Sequence, residues 1–143
     1  MSIKQISIFI ENKPGRLADI TAMLAKKDID IRALSIADTT DYGILRLIVS
    51  HPEKAVEIIR EEGMTVSSTG VLGVAIPDEP GGFAKAINVL ADKGVDVGYA
   101  YAFITPEKGK AYIIIRVTDN DFAAEVLTAA GIQLIEQTDI FKD

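Results

Sequence analysis

The sequence contains no cysteine and no tryptophan, and its only histidine is His51. Without thiols there are no disulfides, no thiolate metal sites and no thiol nucleophile. A single imidazole cannot build a histidine metal cluster within one chain. No metal site and no cofactor is expected. Basic charge is scarce as well, with 15 Lys and Arg against 21 Asp and Glu, a net charge of −6. Nucleic acid and anionic membranes call for a concentrated basic patch, and Lys26-Lys27 is the one adjacent basic pair. No apolar run approaches the ~20 residues of a membrane-spanning helix. After Met1 the chain enters an alternating pattern directly, with no signal-peptide core. The expectation is a soluble, cytoplasmic protein with no nucleic-acid or membrane partner.

What is present is apolar material, 48% of 143 residues, enough for a packed core. It is laid out twice. Residues 11–20, ENKPGRLADI, return at an offset of 66 as 77–86, PDEPGGFAKA. Asp28-Ile29-Asp30-Ile31 meets Gly94-Val95-Asp96-Val97 at the same offset. Residues 42–49 match 110–117 at an offset of 68, so the second copy carries two extra residues near 105–109, a turn composition. Two domains follow, 1–70 and 71–143, with no Ser/Pro-rich linker between them.

Each copy reads in one order. Alternation over 3–10 predicts a half-buried strand. Leu17, Ile20 and Leu24, like Phe83, Ala86 and Leu90, recur at helical spacing. Second strands are expected over 29–36 and 95–103, third strands over 43–49 and 111–117. Ser50-His51-Pro52-Glu53 fits a capping box at the start of a second helix, and Thr118-Asp119-Asn120-Asp121 is its weaker counterpart. Gly63 and Gly131 stand where a helix ends in a left-handed residue. Final strands are expected over 64–72 and 132–141. The pattern is β-α-β-β-α-β, an α+β ferredoxin-like unit with helices on one face of an antiparallel sheet. Uncovered faces and edges favour pairing of the two units side by side and a homodimer.

Asn12-Lys13-Pro14-Gly15-Arg16-Leu17, followed by Asp30-Ile31, resembles the ACT domain, a small-molecule-binding regulatory module. Both copies are similar to it in element order and length, as a tandem repeat without an attached catalytic domain. The second copy, Asp78-Glu79-Pro80-Gly81-Gly82-Phe83, departs at the Asn and Leu positions. The resemblance implies a non-catalytic, allosteric regulatory protein that binds an amino acid at the interface of paired modules. It implies one site from Asn12, Pro14, Gly15, Arg16 and Leu17 with Asp96, and another from Asp78, Gly81, Gly82 and Phe83 with Asp30. It also implies an amino-acid metabolic enzyme as partner. The alternative is a structural or interaction module that regulates an enzyme resembling acetolactate synthase and binds nothing small.

These residue types suit a zwitterion. A helix N-terminus offers free amides to a carboxylate, and a glycine lets the ligand approach the backbone. Proline stiffens the bend. An aspartate accepts a charge-assisted bond from the ammonium. The ligand side chain would lie among Ile10, Leu17, Ile76 and Phe83. Plainer readings stand beside these. Pro-Gly is also ordinary turn punctuation, Asp30 reads equally as an exposed strand-edge carboxylate, and Arg16 as an exposed first-turn residue. His51 is expected at an exposed helix N-terminus. Tyr99 and Tyr101 share one strand face, as interface packing or as a pocket wall.

Overall fold

The structure is a computed structural model that describes residues 2–11, 13–38, 41–103 and 107–141. The chain divides into two compact units. The first is Lys4–Thr69; the second joins Gly70–Asp143 to the N-terminal Met1–Ile3.

The first unit contains most of β1 (Ile3–Glu11), then α1 (Arg16–Lys26), β2 (Ile31–Asp38), β3 (Tyr42–Val49), α2 (Pro52–Glu61) and the start of β4 (Thr65–Pro77). Strand β3 lies between β1 and β2 and is antiparallel to both. Apolar positions two apart on β1 and β3, Ile6, Ile8, Leu45 and Leu47, form one sheet face. Ile20 and Leu24 of α1 and Ala55 and Ile59 of α2 cover that face and are fully buried. Truncating one of these large side chains to Ala typically costs about 2–5 kcal/mol.

The second unit repeats the plan with the rest of β4, α3 (Gly82–Asp92), β5 (Val97–Phe103), β6 (Lys110–Val117), α4 (Asn120–Ala129) and β7 (Gln133–Ile135), followed by a short α5 (Gln137–Ile140). Its strands run β5-β6-β4-β7, all antiparallel. Leu72, Val74, Ile76, Ile115 and Val117 face Leu90 of α3 and Leu127 of α4. On the other sheet face Ala75, Tyr112 and Ile135 pack together, with the Phe103 ring 5.3 Å from that of Tyr112. Residues 71–76 are therefore all buried, without alternation. The N-terminal residues are tied to this unit through Asn120, whose Nδ2 donates to Ser2 Oγ and to the Gly70 carbonyl, both at 3.1 Å.

Three local expectations differ from the structure. Ser50 does not cap α2. Pro52 opens that helix and His51, exposed, is the N-cap residue with no side-chain bond to the helix amides. Ser50 Oγ instead accepts the Asp30 amide at 2.9 Å. In the weaker-looking counterpart the cap is Asp119 rather than Thr118, its carboxylate accepting the Phe122 amide at 3.1 Å. The last strand, expected over 132–141, ends at Ile135. Glu136 and Asp139 then exchange side-chain-to-backbone bonds and start α5, which buries Ile140.

Candidate functional site

The Pro-Gly breaks are the same turn built twice. The Arg16 amide donates to the Lys13 carbonyl at 3.3 Å, and the Gly82 amide to the Glu79 carbonyl at 3.1 Å. Gly15 has φ 85° and ψ −7°, and Gly81 has φ 86° and ψ −8°. Proline then glycine at those positions is the chemistry of a type II turn, whose third residue needs positive φ. Around both glycines the space is open, with no atom within 4 Å of where a Cβ would stand.

Each turn leads directly into a helix. Asp19 N donates to Gly15 O at 2.9 Å and Lys85 N to Gly81 O at 3.0 Å. Among the described residues no side chain caps either helix. The amides of Leu17 and Ala18, and of Phe83 and Ala84, precede the first intrahelical donors and stay open to an anion. Leu17 and Phe83, at matching positions, are 39% and 42% exposed rather than part of either core.

A hollow adjoins each turn. In the first unit it has a volume of about 410 Å³ and is bounded by Ile10, Glu11, Lys13, Arg16, Leu17 and Asp38. Lys13 Nζ lies 2.7 Å from Glu11 Oε2. The hydrogen bond from Lys13, with its charge, holds the Glu11 carboxyl below the usual carboxylate range. In the second unit the cavity is about 470 Å³, with Ile76, Glu79, Gly82, Lys85, Lys110 and Gln133 on its walls. Lys110 Nζ donates to Gln133 Oε1 at 2.9 Å and lies 3.4 Å from Glu107 Oε1.

Of the expected site residues, Pro14, Gly15, Arg16 and Leu17 gather at the first turn, and Gly81 and Gly82 at the second cavity. Asn12 lies outside the described residues. Asp78 is exposed and donates its amide at 3.0 Å to the carbonyl of Gly109, a residue of the cavity wall. Gly82 lines the cavity and is buried, and a Cβ there would stand 2.2 Å from the Pro77 carbonyl oxygen.

The two aspartates sit elsewhere in their own units. Ile31 pairs with Val49, whereas Tyr42 at the other end of β3 pairs with Glu11. Asp30 is therefore about 20 Å of strand away from the turn that follows β1. Asp96, before Val97, is equally remote from Lys110 and Pro77. Asp30 is exposed, with Arg32 at 3.5 Å from its carboxylate. Neither aspartate reaches the turn of its own unit.

Sequence reasoning missed Glu11 and Lys13 in the first hollow, and Lys85, Lys110 and Gln133 in the second. Lys85 had a readable signal, since it lies one helical turn beyond Gly81. Lys110 and Gln133 reach the cavity only through strand register, Lys110 beside Pro77 and Gln133 beside Ala75.

The family model described as an ACT domain pair matches residues 1–142. Protein BT0572 from Bacteroides thetaiotaomicron has 40% sequence identity, with 100% of this chain and 98% of that chain covered at a TM-score of 0.93. The regulatory subunit of aspartate kinase from Thermus thermophilus, crystallised ligand-free, shares the fold at 18% identity and a TM-score of 0.67, covering 97% of this chain and 93% of its own. The corresponding subunit from Thermus flavus matches at 17% identity and 0.64, with 90% of each chain covered. No curated protein matches. No helix among the described residues is long and apolar enough to cross a membrane. By its family model, its repeated turn-to-helix geometry and its 40% identity across nearly the whole of a solved relative's chain, the chain belongs to the ACT domain pair family.

Proposed function

We propose that this protein is a non-catalytic regulator that binds an amino acid at its turn-to-helix junctions, residues 13–17 and 79–83. The observation that carries the reading is the duplicated turn, with Gly15 and Gly81 in matching left-handed conformations beside uncapped helices and adjoining hollows. Uncapped amides suit the carboxylate of the ligand. Neither Asp30 nor Asp96 reaches the turn of its own unit, so this reading requires any aspartate partner for the ammonium to belong to another module. The regulatory subunits of aspartate kinase have this fold, and their role makes an enzyme of amino-acid metabolism the fitting partner.

A second reading, an interaction module without a small ligand, has its own support. Strand β2 is the edge of its sheet, and it exposes Leu34 by 52% and Ile36 by 44%. An apolar edge invites another chain, in this case a second copy in a homodimer. The two readings separate by calorimetry with each of the twenty amino acids on the wild-type chain and on Asp30→Ala and Asp96→Ala. Saturable heat that weakens in the aspartate variants supports the binding reading. A stable dimer that responds to no amino acid supports the other.

A further inference from the structure

The repeat exchanges charges around its two turns. Lys13 of the first unit corresponds to Glu79 of the second, Asp19 to Lys85, Tyr42 to Lys110 and Arg16 to Gly82. All four second-unit residues line the cavity of about 470 Å³. The matching hollow of the first unit, between β1 and the chain around Gly63, has Arg16 on its wall and a volume of about 230 Å³.

Its walls carry two ammonium groups, Lys85 and Lys110, and one carboxylate, Glu79. Lys110 is steadied by Gln133 and Glu107. Among the described residues Lys85 has no ion-pair partner. Ile76 and Ile132 give one apolar wall. Glu107 stands behind Lys110, outside the lining, so a ligand carboxylate at Lys110 competes with it. The lining itself, with two cations and one anion, complements a ligand with two anions and one cation. An apolar stretch between the charged groups suits a short methylene spacer.

We propose, building on the amino-acid reading above, that the cavity of the second unit selects an acidic amino acid. Lys85 takes the side-chain carboxylate, Lys110 joins the open helix amides at the α-carboxylate, and Glu79 accepts from the ammonium beside any aspartate partner. The first unit has Asp19 and Tyr42 in place of the lysines, so acid selectivity belongs to the second unit alone.

Calorimetry on the full chain with L-aspartate, L-glutamate, L-asparagine and L-glutamine tests this. The acids should bind tighter than their amides by about tenfold or more, the scale of one charge-assisted hydrogen bond. One acid-selective site per chain is expected. Lys85→Gln should erase the preference without lowering the melting temperature, and Asp19→Asn should leave it intact. Equal affinity for acids and amides, two acid-selective sites per chain, or a preference that survives Lys85→Gln overturns acid selection while amino-acid binding stands. Silence from all four, with heat from a different amino acid, has the same meaning. Silence from every amino acid overturns the underlying reading as well.

Discussion

Gly82 passes so close to Pro77 that a Cβ on it would stand 2.2 Å from the Pro77 carbonyl oxygen. Gly81 beside it has open space but a φ of +86°. Two adjacent glycines thus answer two separate demands, one steric and one conformational. Only the conformational demand recurs in the first unit, where Arg16 follows Gly15.

Replacing Gly82 by Ala forces backbone apart and should lower unfolding free energy by about 2–3 kcal/mol, the upper range for overpacking. Gly81→Ala asks a residue with a Cβ to hold a left-handed conformation, at about 1–2 kcal/mol. Denaturant titration of both variants gives the order. A Gly82→Ala variant as stable as wild type would mean that the turn has slack the structure does not show.

Helix capping divides the repeat in a second measurable way. Asp119→Ala removes the bond to the Phe122 amide and should cost about 1 kcal/mol. Ser50→Ala removes no cap. It releases the Asp30 amide, so hydrogen exchange should quicken at Asp30 while the first turn of α2 keeps its protection. Faster exchange across the first turn of α2 in that variant would restore Ser50 as a cap.

Glu11 supplies a pH test. Its carboxyl titrates low because Lys13 donates a hydrogen bond to it and, secondarily, by charge. A carboxyl depressed in the folded state adds stability above its unfolded pKa, and that contribution is lost as pH falls through the folded value. In Lys13→Gln the Glu11 midpoint, followed by NMR, should rise toward the ordinary carboxylate range. An unmoved midpoint would assign the effect to another group.

The order of elements was legible because local pattern carries it. Leu24 and Leu90 repeat at the same offset as the turns before them, and both are fully buried. Gly63 and Gly131, expected at helix ends, have φ of 80° and 77°. What escaped depended on pairing in space. The strand expected over 64–72 does not stop there, since Thr65–Pro77 is one 13-residue strand. Pro52 moved the start of α2 past Ser50, a competition between two start signals that local pattern does not rank. The turns were found from Pro-Gly alone. Lys110 and Gln133 were not, since a cavity wall built across strands has no footprint along the chain.

The most direct measurement is calorimetric titration of the wild-type chain with each of the twenty amino acids in turn. The expected result is saturable binding of at least one of them, weakened when Asp30 or Asp96 is changed to Ala. Twenty flat titrations from a folded protein would contradict the claim that these turns hold an amino acid.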